Sequence, residues 1–125
     1  MKTEAEKIEA LNNLDQFTGT ENYYRNMFGF RHTDGMQYLA LNLGAFWLID
    51  AVISHQPKAR RNPRLREFQL WKLEVKEGKA TLTCWEDSGQ GQRPKITQKI
   101  PYTDFPEPGI EFYVIGNVIL LKSEY

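Results

Sequence analysis

The sequence predicts an α+β fold, with short amino-terminal helices and one long buried helix packed on a mostly antiparallel sheet of four to five strands, in the order ααα-βββββ. Three observations predict it. Apolar residues recur at spacings of three and four up to about residue 54. From about residue 68 the pattern alternates with a period of two, and turns of hairpin length separate its segments. No helix of crossover length stands between those later strands, which disfavours a parallel doubly wound sheet.

The first helix is expected over about residues 4–13. Thr3-Glu4-Ala5-Glu6 has capping-box spacing, and Ile8, Leu11 and Leu14 follow at intervals of three. Thr18-Gly19-Thr20-Glu21 repeats the pattern and predicts one or two helical turns over residues 22–28, stopped by Gly29. Thr33-Asp34-Gly35 opens the longest segment without a breaker. Met36, Leu39, Leu43, Phe46, Ile49 and Ile53 share one face, which predicts a single buried helix over 34–54. Gly44 inside it costs about 1 kcal/mol relative to Ala, so it implies a close backbone contact or a slight bend.

Residues 55–66 hold two prolines, five basic residues and no acid, and read as an exposed basic loop between a helical part (about 4–54) and a sheet part (67–122) of one domain spanning 1–125. Phe68–Lys76 is the first expected strand; its alternation slips between Leu70 and Trp71, which implies a bulge or burial on both faces. Glu77-Gly78 turns the chain into a return strand over Lys79–Glu86. Asp87–Gln92 reads as a flexible polar turn, and Lys95–Ile100 as an edge strand. Residues 109–115 and 118–121 complete the set as a hairpin about Gly116-Asn117, the last strand being buried on both faces.

Composition bounds the function. The 125 residues carry 16 Lys+Arg and 16 Asp+Glu, so no whole-molecule field draws the protein to nucleic acid or an anionic membrane. A single cysteine, Cys84, rules out an internal disulfide and a Cys-based zinc cage. The longest apolar run, Ala45–Ile53, is far short of the roughly 20 residues of a membrane span, and Met1–Ala10 lacks signal-peptide character. A cytoplasmic protein without membrane contact is the expectation.

The search for chemistry yields no catalytic residue, metal ligand set or cofactor site. His32 and His55 flank opposite ends of the expected helix, roughly 30 Å apart, too far to share a metal. Ser54, Ser88 and Ser123 have no nucleophile context, and Gly89 and Gly91 open no phosphate loop. Cys84 in a strand is expected to be an inert hydrophobe. Asp50 is the one acid in Ala45–Ile53; it marks the solvent edge of the helix or, if enclosed, must find a donor. A small enzyme would have to draw on dispersed polar residues, namely Asp34, Asp50, His32 and the Tyr23-Tyr24 pair.

The local charge feature is the basic loop, where Lys58, Arg60, Arg61, Arg64 and Arg66 fall within nine residues of a neutral chain. It reads either as a structural loop, solvated or paired internally with the acidic amino-terminal helix, or as a grip on an acidic protein or a phosphate backbone. In the second case Trp71 and Trp85 would be available for stacking if exposed.

Taken together, Leu14–Tyr24 (LDQFTGTENYY), Thr33-Asp34-Gly35, Phe68–Leu73 (FQLWKL), Thr103–Pro106 (TDFP) and Ser123-Glu124-Tyr125 resemble a family of short bacterial proteins of unknown function. The resemblance covers nearly all of the chain from Leu14 onward and implies a bacterial protein, often associated with plasmids, phages or other mobile DNA. It implies no activity and no catalytic residues, and the basic loop does not match the family pattern. The resulting expectation is a non-enzymatic binding or accessory protein that engages a macromolecule through the basic loop, a protein before a nucleic acid. A homo-oligomer would be compatible with the aromatic content, should some of those rings form an exposed patch.

Overall fold

The computed structural model describes residues 2–87 and 92–125. The expected polar turn over 87–92, with Gly89 and Gly91, lies largely outside the described residues. Helix α1 (Glu4–Asn12) starts as its capping box dictates: the Thr3 hydroxyl accepts from the Glu6 N–H and the Glu6 carboxylate accepts from the Thr3 N–H.

The segment expected to be a second helix is instead strand β1 (Tyr23–Arg25) followed by a tight turn over Met27–Gly29, and it pairs with a second short strand, β2 (Arg31–Thr33). Thr20, the expected cap, spends its hydroxyl elsewhere: it donates to the Asn22 carbonyl and accepts from the Asp34 N–H.

The expected long helix is two helices. Helix α2 (Asp34–Leu43), capped by the Thr33 hydroxyl, ends at Gly44, and α3 (Phe46–Ser54) leaves at 120° to it. Gly44 has φ +60, and the N–H groups of Gly44 and Ala45 both turn back to the Ala40 carbonyl. A left-handed residue satisfies the orphan carbonyls of the last turn and stops the helix, where a slight bend was expected. No single helix among the described residues is long and apolar enough to cross a membrane.

The basic segment is also not a loop. Both of its prolines sit in the first turn of short helices, α4 (Gln56–Ala59) and α5 (Pro63–Glu67), where the missing N–H costs nothing. From there the chain enters β3 (Phe68–Lys76), β4 (Lys79–Trp85), β5 (Ile96–Ile100), β6 (Gly109–Ile115) and β7 (Val118–Leu121).

The sheet has seven strands in the order β1-β2-β7-β6-β3-β4-β5, two more than expected because β1 and β2 join it. It is mostly antiparallel; β2 lies parallel to β7. β3 pairs without a bulge on both sides, so the slip in its alternation reflects burial of Leu70 and Trp71 on opposite faces. β5 is an edge, as expected. β7 buries Ile119 and Leu121 but leaves Val118 and Leu120 half-buried, so it is enclosed on one face, not two.

That inner face carries Trp71, Leu73, Leu82, Cys84, Phe112, Val114 and Ile119, and with Met36, Leu39, Leu48, Ile49 and Val52 it forms the core. Within it Gln56 (2% exposed) and Gln69 (0%) form a reciprocal amide pair at 2.9 and 2.8 Å. Gln69 also donates to the Leu65 carbonyl and accepts from the Trp71 indole, so α4, α5 and β3 are pinned to one another by a fully used amide.

Candidate functional site

Of the five dispersed polar residues, the structure brings three together. Asp34 opens α2 and turns its carboxylate toward the preceding loop: one oxygen accepts from the N–H groups of Glu21 (2.9 Å) and Asn22 (3.2 Å), the other from the Tyr24 hydroxyl (3.1 Å). The backbone N–H of Glu21, with those of Asn22 and the Tyr24 hydroxyl, holds the Asp34 carboxyl below its usual value, and the same carboxylate raises the Tyr24 phenol. His32 stacks on Tyr24 at 5.2 Å and is buried; its Nδ1 accepts from the Asn26 amide and its Nε2 donates to the Gln37 carbonyl oxygen. The tautomer follows from the two amides.

Tyr23 and Asp50 stand apart. Strand alternation sends Tyr23 to the opposite face from Tyr24, and Asp50 is exposed on α3, so it is the solvent edge of that helix.

Around Asp34 lies a cleft of about 780 Å³, lined by residues 16–22 and by Tyr24, Gln37, Tyr38, Leu41 and Asn42. Glu124 supports it from beneath, accepting from the Thr33 hydroxyl and the N–H groups of Gly35 and Leu121. Three of the phrases that carry the resemblance, LDQFTGTENYY, TDG and SEY, thus meet at one place. Both Asp34 oxygens and both His32 nitrogens are occupied by neighbours, so their chemistry here is to fasten the loop. His32 and Asp34 turn to different partners, and no metal-holding cluster exists among the described residues. Cys84 is buried and its thiol is pushed up to about 12 by desolvation, with Glu86 adding to the effect, which makes it inert at neutral pH.

The basic side chains separate into two sets. Arg64 pairs with Glu86 at 3.6 Å, and Arg66 donates through Nε to the Arg60 carbonyl. Arg60 donates to the Gly116 carbonyl and lies over the Phe30 ring at 4.8 Å, while its buried Nε has no acceptor among the described residues. Lys58 and Arg61 are exposed and make no ion pair among the described residues. Among the described residues none of the five pairs with the acidic amino-terminal helix.

What sequence reasoning missed lies beside Arg60. A pocket of about 460 Å³ is walled by Phe28, Phe30, Ile53, Gln56, Pro57, Arg60 and Asn117. Its lip is the Met27-Phe28 turn, with Met27 67% and Phe28 79% exposed. Phe28 has φ +60, a left-handed conformation unfavourable for a bulky residue. The turn is closed locally, the Phe30 N–H donating to the Met27 carbonyl and the Asn26 N–H to the Phe30 carbonyl. It is braced from outside, where the Asn117 amide donates to the Gly29 carbonyl and the Arg31 N–H donates to the Asn117 carbonyl; residue type in Asn26–Phe30 does not signal that bracing.

A family model described as "Family of unknown function (DUF6876)" matches residues 8–125. No curated protein and no solved structure matches the chain.

Proposed function

The chain belongs to this family of unknown function, DUF6876, and from that premise we propose that it is a non-enzymatic docking protein for an acidic protein segment bearing an apolar anchor side chain. In this reading it serves as an accessory protein in the cytoplasm of a bacterium or of a cell hosting a mobile element, an origin supported only by the resemblance of its motifs.

The observation that carries the reading is Phe28. An aromatic side chain held out at positive φ, with its neighbour Met27 also exposed, is strain and apolar exposure that the isolated fold does not need. The pocket beneath it offers apolar walls, and Arg60 offers a guanidinium whose hydrogen-bonding capacity is only partly used. Lys58 and Arg61, next in the chain to Pro57 and Arg60, add exposed positive charge to the rim. An apolar centre with a charged rim is the usual anatomy of a protein interface.

The test is affinity capture from nuclease-treated bacterial lysate with wild type, Lys58→Glu/Arg61→Glu and Phe28→Gly. The expected result is an acidic protein retained by wild type and lost from both variants. A captured protein that both variants keep, or capture that nuclease abolishes, overturns the reading.

A further inference from the structure

We propose that the helix-free face of the sheet binds single-stranded nucleic acid, a role independent of the Phe28 surface. The register of the seven strands sends every charged strand residue to that outer face: six basic and two acidic, Glu74 and Glu111, in a chain of zero net charge. The basic ones run the width of the sheet. At one edge Arg25 and Arg31 stand directly opposite each other across β1 and β2, with no carboxylate in ion-pair range among the described residues. Directly opposed like charges destabilise a sheet, and a bound phosphate would relieve them.

In the middle, Lys72 lies over the Trp85 ring at 4.6 Å, and Lys122, just past β7, pairs with Glu111 beside Tyr113. At the far edge Lys76, Lys79 and Lys99 join Lys72 around a shallow concavity of about 840 Å³, whose wall also holds the two acids of this face, Glu74 and Glu111.

Aromatic rings interleave with these cations. Tyr23, Tyr113, Phe68 and Trp85 all fall on the outer face by register, and Tyr125 packs against Phe68 and Tyr113 while staying 73% exposed. Tyr113 and Trp85 flank Leu70 from the two neighbouring strands, roughly 10 Å apart. A positively charged platform with stacking rings is what an unpaired strand needs, because its bases are free to stack and its phosphates follow the cations. An acidic protein would use the cations and leave the rings without a role.

Fluorescence anisotropy of labelled oligo(dT) and oligo(U) tests this, with a duplex of equal length and heparin as comparisons. Both single strands should bind, the ratio between them telling DNA from RNA. If four phosphates are neutralised, affinity should fall about 50-fold between about 50 and 200 mM salt. Lys79→Glu/Lys99→Glu should weaken binding at least about tenfold, and Tyr23→Ala/Tyr125→Ala about tenfold. Lys58→Glu/Arg61→Glu should bind as wild type does, so failure of the docking reading leaves this result intact. Circular dichroism verifies that each variant is folded. No binding up to about 100 µM at low salt overturns the proposal. So does binding of duplex or heparin that equals single strands and ignores the tyrosines, or loss confined to Lys58→Glu/Arg61→Glu.

Discussion

Replacing Gln69 by leucine tests the reasoning about the buried amide network. The side chain is 0% exposed and uses all four of its hydrogen-bonding positions. Its loss strands four groups: one N–H and the carbonyl oxygen of the Gln56 amide, the Trp71 indole N–H, and the Leu65 carbonyl. At about 1 kcal/mol each, the low end for a buried unsatisfied group, the cost is about 4 kcal/mol. That is a large part of the 5 to 15 kcal/mol, in order of magnitude, that holds a domain folded. It corresponds to a fall in Tm of about 16 °C at this chain length, or about 2 M in the urea midpoint with m near 2 kcal/mol/M. Urea unfolding followed by circular dichroism and tryptophan fluorescence measures it, with Gln56→Leu and the double variant completing a cycle. The double variant should cost at least about 1 kcal/mol less than the two single costs together, because each single change already strands the other amide. A cost below about 1 kcal/mol for Gln69→Leu, or strict additivity, refutes the idea that the amides act as one unit.

Other changes separate strain from packing. Gly109→Ala should cost about 3 kcal/mol or more, because φ is +107 and a Cβ would overlap the Leu73 carbonyl, whereas Gly44→Ala, with φ +60 in open space, should cost only about 1 kcal/mol; thermal unfolding compares them. Phe28→Gly should stabilise the isolated protein by about 1 kcal/mol, a small rise in Tm, since it releases a left-handed phenylalanine that buries little. Cys84 should resist alkylation at pH 8 in the native state and react at once in urea, because its thiol titrates at about 12 when folded. Asp34 has a folded value below the ordinary 3.8, so its contribution is present above that value and is lost as the pH falls through the lower one. Asp34→Asn should therefore flatten the acid limb of the stability curve, read from urea midpoints across pH.

The parts of the fold that were legible are those decided by nearby residues. The Thr3 capping box, the hairpin about Glu77-Gly78 and the hairpin about Gly116-Asn117 each contain their own cause. The misread parts are decided at a distance. Tyr23–Arg25 is a strand because β2 is held by β7, and without that partner its sequence carries a helix start. The apolar stripe runs unbroken through Gly44, since both helices present apolar faces to one core, so periodicity hides the corner and only the glycine marks it. Pro57 and Pro63 break a helix interior but begin a helix equally well, which is why a basic loop was expected where two helical turns stand. For the site, residue type alone singles out Asp34, Tyr24 and His32, but their meeting place depends on the pairing of β1 with β2. The cations of the outer face do not stand out in the sequence because strand alternation scatters them singly, whereas the run at Lys58–Arg66 is conspicuous and partly consumed by internal partners.

The parallel pairing of β2 with β7 also bears on synthesis and folding order. Thr33 and Glu124, which fasten the start of α2, are 91 residues apart, so the β1–β2 ribbon has no sheet to join while the ribosome is still making the intervening chain. The β3–β4 and β6–β7 pairings are local by comparison and can form on their own, so Trp71, Leu73, Leu82 and Cys84 can cover part of the helical stripe early, while the part that packs on Phe112, Val114 and Ile119 stays uncovered until β6 and β7 have been made. In that interval the nascent chain offers the core faces of α2 and α3 to chaperones, and a stall before β7 should leave a species that is aggregation-prone despite having all of its helices.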